Sequence, residues 1–224
     1  MTPEILIIET PNLGDRSYVV GMDQTAVVVD PQRDIDRIYT ALQDRDWTVT
    51  HVVETHVHND YVSGGLVLAK ELGAEYVVPS DHDYDFEAQQ VHDGHTFTSA
   101  GMHWRVLHTP GHTPHHVSYA VAVEGQDVAV FTGGSLLFGS VGRPDLIGPQ
   151  ATPGLAHAQW HSVRRLVEQV ADDAMVMPTH GFGSFCSATA TSGLASTVGE
   201  QAQANPAMRL SEQEFVTELL AGLD

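Results

Sequence analysis

Short apolar and alternating runs, broken by Gly, Pro and Asp, fill the first third of the chain. Residues 5–9, 17–21 and 26–29 read as strands, with turn signals at Pro11-Asn12-Leu13-Gly14 and Met22-Asp23-Gln24. Asp30-Pro31 stops the third. Over residues 34–42 the spacing becomes helical, with Ile35, Ile38 and Leu42 on one face. A strand over 48–53, a helix over 66–72 ended by Gly73, and a strand over 75–79 follow. The polar and aromatic segment 80–91 predicts a loop over the site formed at the strand ends. Residues 102–108 alternate, 117–123 and 128–131 predict a hairpin, 155–170 a helix and 175–177 a strand. From Ala188 onward the pattern is helical, apart from a break at Asn205-Pro206. Strands and helices alternating in two sets predict an α/β fold of two sheets with helices outside, a four-layer αββα sandwich. Residues 1–224 are expected to form one domain.

Composition narrows the function classes. A chain of 224 residues, 42% hydrophobic, can bury a sizeable core. Its start, Met1-Thr2-Pro3-Glu4-Ile5, has no basic leader, and no apolar run reaches the length of a membrane span. Cys186 is the only cysteine, so an intramolecular disulfide is excluded and a reducing cytoplasm is expected. The net charge is −19 and Lys70 is the only lysine, which argues against nucleic acid and anionic membranes as partners.

The chemistry concentrates at strand ends. Thr55-His56-Val57-His58-Asn59-Asp60-Tyr61 follows the strand at 48–53 and precedes Ser63-Gly64-Gly65, which opens a helix. Neutral imidazole is the commonest metal ligand in proteins, and two imidazoles with a carboxylate in five positions point to a metal. His112 follows a strand and the turn Thr109-Pro110-Gly111, and His180 ends the strand at 175–177. His92, His95 and His103 read as exposed strand residues, and His115 and His116 as polar residues at a strand start.

Taken together, the His-x-His-x-Asp loop, Thr109-Pro110-Gly111-His112-Thr113 and Pro178-Thr179-His180-Gly181 resemble the metallo-β-lactamase superfamily over nearly the whole chain. Within it, Phe131-Thr132-Gly133-Gly134-Ser135, Gly142-Arg143-Pro144-Asp145 and the run from His180 to Cys186 look most like persulfide dioxygenases, relatives of glyoxalase II. The resemblance implies a mononuclear iron(II) site, with zinc as the alternative metal, oxidising a small-thiol persulfide such as glutathione persulfide. It implies His56 and His112 as ligands. It also implies a protein that works beside or fused to a rhodanese, and a homo-oligomer is expected.

Two positions depart from the family pattern. Where relatives carry Thr-Gly-Asp this chain has Thr132-Gly133-Gly134, so the 2-His-1-carboxylate set is incomplete. His58 then joins His56 and His112 as the expected third ligand. Tyr61 stands where hydrolases place a histidine, leaving only Asp60 and His180 for a second metal. Asp60 is expected to orient His58 or a water, Arg143 to anchor a substrate carboxylate or to pair with Asp145, and Cys186 to handle sulfur or to fill the core. A hydrolase of thioesters or lactones and a non-catalytic sulfur-handling domain are the alternatives. An aspartate at 134 is expected to raise iron occupancy.

Overall fold

The computed structural model describes residues 2–99, 101–190 and 193–223. The first sheet has the order β1 (Glu4–Thr10), β2 (Asp15–Met22), β3 (Thr25–Val29), β4 (Thr48–Val53), β5 (Glu75–Pro79), β6 (Gln89–Val91). Its first three strands are antiparallel and the rest run parallel. Helices α1 (Asp36–Leu42) and α2 (Gly65–Leu72) connect strands of this sheet. The second sheet runs β11 (Met175–Pro178), β10 (Gln126–Gly133), β9 (Val117–Val123), β8 (Met102–His108), β7 (Thr96–Ser99), with only β10 and β11 parallel. Outside it lie α3 (Thr152–Gln169), α4 (Val198–Ala204), α5 (Pro206–Arg209) and α6 (Glu212–Ala221).

Period-two alternation sorts each strand's side chains between layers. Tyr18, Val20, Val27 and Val29 face Trp104, Tyr119, Val121 and Phe131 across the space between the sheets. Their neighbours Val19, Ala26 and Val28 pack with Ile38 of α1 and Leu68 of α2. Ala120 and Val130 turn the other way, onto Val163 and Leu166 of α3 and Phe215 of α6. Trp104 is stacked between Phe97 and Phe131, with centroids 5.5 and 5.6 Å away. The Tyr18 hydroxyl donates to the Pro178 carbonyl at 2.6 Å, tying the first sheet to β11.

The expected αββα architecture is present. Three local expectations change. The loop expected over 80–91 ends in a strand, β6, whose Val91 is buried in the core between the sheets. Strand β10 extends to Gly133, two residues past its expected end, because it continues to pair with β11 at Pro178. The expected helix from Ala188 begins only at Val198, where Thr197 caps it. Ser, Thr and Gly crowd residues 187–197, and their side chains compete for backbone hydrogen bonds. Residues 191 and 192, inside that stretch, lie outside the described residues.

Candidate metal centre

The loops after β3, β4, β10 and β11 meet at one edge of the sandwich, and Asp30 ties three of them together. It ends β3 in a left-handed conformation, with φ 49°, and is fully buried. Its Oδ1 accepts from the Thr55 amide at 2.7 Å, and its Oδ2 accepts from the hydroxyls of Thr55, at 2.7 Å, and Thr179. Burial works against its charge, but the neighbouring His58 and these donors hold the carboxyl down at about 2. Gly64 and Gly65 let α2 start close by: a Cβ at 65 would fall 2.6 Å from the Tyr76 ring.

Each imidazole in the cluster has one nitrogen committed. The Thr55 hydroxyl spends its proton on Asp30, so it accepts from His56 Nδ1–H at 2.8 Å. His180 Nδ1–H donates to Asp15 Oδ1 at 2.9 Å. Both Nε2 atoms therefore carry lone pairs, and they face each other 3.1 Å apart. His112 Nδ1–H donates to the Arg143 carbonyl at 2.9 Å, leaving a buried Nε2 with no hydrogen-bond partner. His58 Nε2 lies 3.3 Å from Asp30 and 3.4 Å from Glu54, and its Nδ1 is unpartnered. Burial alone would push the His58 imidazole down, but Asp30 and then Glu54 raise it to about 10 in the absence of a metal. Burial lowers His56 well below the usual imidazole range, with His58 adding to it. Burial and then His180 lower His112 to about 3, and burial holds His180 at about 4.

The donor atoms of His56, His58 and His180 lie within 4.8 Å of one another, as do those of His112, His180 and Cys186. His180 belongs to both sets. Neutral imidazoles whose second nitrogen is fixed by a carboxylate, carbonyl or hydroxyl are the usual form of a ligating histidine. Two lone pairs facing at contact distance, and the two orphaned nitrogens of His58 and His112, fit a bound metal ion.

The other expected residues take varied places. His116 is fully buried and satisfied: its Nε2 accepts from the Gly134 amide at 3.0 Å and its Nδ1 lies 3.0 Å from Thr109 Oγ1. Tyr61 points its hydroxyl at His58 Nε2, 3.0 Å away, and at the Asp30 carbonyl. Arg143 is paired bidentately with Asp145 at 2.6 Å and stacks over Phe185, while its backbone carbonyl braces His112. Cys186 is buried, and burial followed by Asp60 raises its thiol. Asp60 Oδ2 lies 3.4 Å from His180 Nδ1, and neither Asp60 oxygen accepts a hydrogen bond among the described residues. The space next to Gly134 is filled: a Cβ there would sit 2.6 Å from His112 Cγ and 2.8 Å from its Nε2. Asp15, Asp30 and Glu54 were not singled out by sequence. The only signal was an acid ending a run of valines at Asp30.

A cavity of about 570 Å³ opens beside these groups, lined by His56, His58, Tyr61, Tyr76, Tyr84 and Phe86 among others. Residues 13–181 match the family model described as the metallo-beta-lactamase superfamily. The mitochondrial persulfide dioxygenase ETHE1 of Homo sapiens is 27% identical over 206 residues, covering 91% of this chain and 72% of that protein. A hydroxyacylglutathione hydrolase of Maricaulis maris is 27% identical over 185 residues, covering 80% of this chain and 67% of that protein. An atrochrysone carboxyl ACP thioesterase of Pseudocercospora fijiensis is 30% identical over 151 residues, 61% of this chain, which spans 43% of its length. Among solved structures, a metallo-beta-lactamase from Staphylococcus aureus superposes with a TM-score of 0.90 at 27% identity, covering 99% of this chain and 68% of that one.

Proposed function

Because the chain belongs to the metallo-β-lactamase superfamily, we propose that its histidine cluster serves a metal-dependent reaction, the oxidation of a small-thiol persulfide. The observation that carries this reading is the Cys186 thiol, buried with its sulfur among the donor atoms of His112 and His180. Imidazoles with a sulfur beside them are donors that suit iron or zinc, the metals of sulfur-handling sites. Iron(II) bound by the imidazoles would supply activation of dioxygen and a position for the persulfide sulfur.

The chain's own residues prepare that chemistry. Asp30 and Thr55 fix the tautomer of His56, Asp15 that of His180, and the Arg143 carbonyl that of His112. Each leaves a lone pair at Nε2 without further rearrangement. The cavity beside His56 and His58 takes the body of a small thiol against Tyr76, Tyr84 and Phe86. Gly134 and Tyr61 favour one metal over the two that clamp a hydrolytic water, since neither offers the donor a second metal shares.

Protein purified without oxygen tests the reading. Metal analysis should give iron near one equivalent, and an oxygen electrode should record consumption with glutathione persulfide. Zinc with hydrolysis of S-lactoylglutathione and no oxygen uptake would replace this reading with a hydrolase. A metal-free protein inert to both substrates would leave a non-catalytic domain.

A further inference from the structure

We propose that the cavity beside the histidine cluster selects a persulfide on a positively charged carrier, an aminothiol, over one on an anionic carrier. The proposal rests on the persulfide reading above for the sulfur end of the substrate and names the class of its other end.

The wall of this cavity carries acids and aromatic rings, and no lysine or arginine lines it among the described residues. Asp83 and Asp85 are exposed on the segment before β6, and Glu54 is buried just past β4. The Tyr84 ring lies 5.2 Å from that of Phe86, which lies 5.8 Å from that of Tyr76. Phe86 and Val62 are 38% and 66% exposed, leaving apolar surface at the cavity that a ligand would cover. A cation set over an aromatic face is attracted by the negative side of the ring's quadrupole, the more so where water is excluded.

The hydrogen-bonding groups of the wall are set against a carboxylate. The Tyr76 hydroxyl donates to Glu54 Oε1 at 3.1 Å, that of Tyr84 to the Pro79 carbonyl at 3.0 Å and that of Tyr61 to the Asp30 carbonyl at 3.3 Å. The Ser63 hydroxyl also spends its proton on Glu54 Oε1. These groups are left with lone pairs and ring faces, which an ammonium uses and a carboxylate does not. Glu54 Oε2 is buried and accepts no hydrogen bond among the described residues. Where His58 is protonated it is outnumbered by Asp30 and Glu54, at 3.3 and 3.4 Å. The neighbouring arginines do not reverse this sign. Arg143 is paired bidentately with Asp145, and Arg33 lines an adjoining cleft together with Asp34. An aminothiol persulfide joins an anionic sulfur for the metal to an ammonium for the acids and rings. With both charges it is neutral overall, and so it escapes the repulsion of a net charge of −19.

Ligand-observed NMR on the purified protein, with methylthioethylamine and methylthiopropionate as probes, tests the preference without turnover. The amine should bind about ten-fold more tightly than the carboxylate, the scale of one cation over an aromatic face. Asp83→Asn combined with Asp85→Asn should narrow that ratio several-fold. Glu87→Gln, on the same segment but outside the cavity lining, should leave it at the wild-type value. An oxygen electrode should then record a higher kcat/KM for cysteamine persulfide than for mercaptopropionate persulfide at low salt, by about the same ten-fold factor. Equal binding of the two probes, or an unchanged ratio in the well-folded double variant, would overturn the charge selection; oxygen uptake with either persulfide would leave the persulfide reading standing. Preferential binding of the amine with no oxygen uptake from either persulfide would support the charge selection and overturn that reading.

Discussion

At position 134 the His112 ring decides what a side chain would do. The expected gain of iron on placing aspartate there needs room for a side chain beside His112, and a Cβ would meet that ring at 2.6 Å from Cγ. The left-handed residue is its neighbour Gly133, at φ 52°, and the obstacle at 134 is the imidazole itself. Gly134→Ala should therefore displace His112 and lower metal affinity without adding or removing a donor, measured by calorimetry on a variant whose circular dichroism is unchanged. Asp30 offers a second test. Its carboxyl falls from 3.8 to about 2 on folding, which stabilises above pH 3.8 and is lost as pH falls through 2. His58 rises from 6.5 to about 10, which stabilises below pH 6.5 and is lost as pH rises through 10. The lowered imidazoles of His56, His112 and His180 lose stability as pH falls below 6.5, so urea midpoints of the metal-free protein should peak near pH 6.5 and decline on both sides. Asp30→Asn should cost about 3–5 kcal/mol at pH 6, the scale of breaking a buried pair. His56, His58, His112 and His180 were legible because strand-end histidines stand out against apolar runs. Asp15 and Glu54 were not, since an acid in or beside a strand carries no periodic signal and their partners lie far along the chain or on another element.

Among the elements, strands were easier to read than helix ends. Alternation of Tyr18, Val20 and Met22 with Val19 follows directly from packing between two layers. Helix starts in the last forty residues depend instead on caps: Thr197 with Glu200 and Ser211 with Glu214 form capping boxes. The expected helix from 188 overlooked these caps. Since α6 packs on α3 and contributes none of the clustered metal donors, Ser211→Ala should lower stability by about 1 kcal/mol in urea unfolding. Metal content should stay at the wild-type value.

For the whole molecule, charge sets the encounter with substrate. A net charge of −19 repels an anion such as glutathione persulfide, and Asp83 and Asp85 line the cavity that would receive it. Salt screens that repulsion within about 10 Å at 0.1 M. The kcat/KM for glutathione persulfide should rise several-fold from 10 to 200 mM salt, while that for the persulfide of mercaptoethanol, whose carrier has no carboxylate, should rise much less. Equal salt dependence for both would remove the electrostatic account. No helix among the described residues is long and apolar enough to cross a membrane.

The bond between His180 and Asp15 closes a loop of 165 residues. During synthesis Asp15 leaves the ribosome early, and its partner emerges only after both sheets have been translated. Until then the acids at 15 and 60 face no imidazole from β11, and the first sheet must wait with its edge of charges uncovered. Closure over so long a loop is slow compared with local pairing. A metal ion is captured at full strength only by a chain whose two ends have met, so metal uptake on the ribosome would report completed folding, not the arrival of the first histidines.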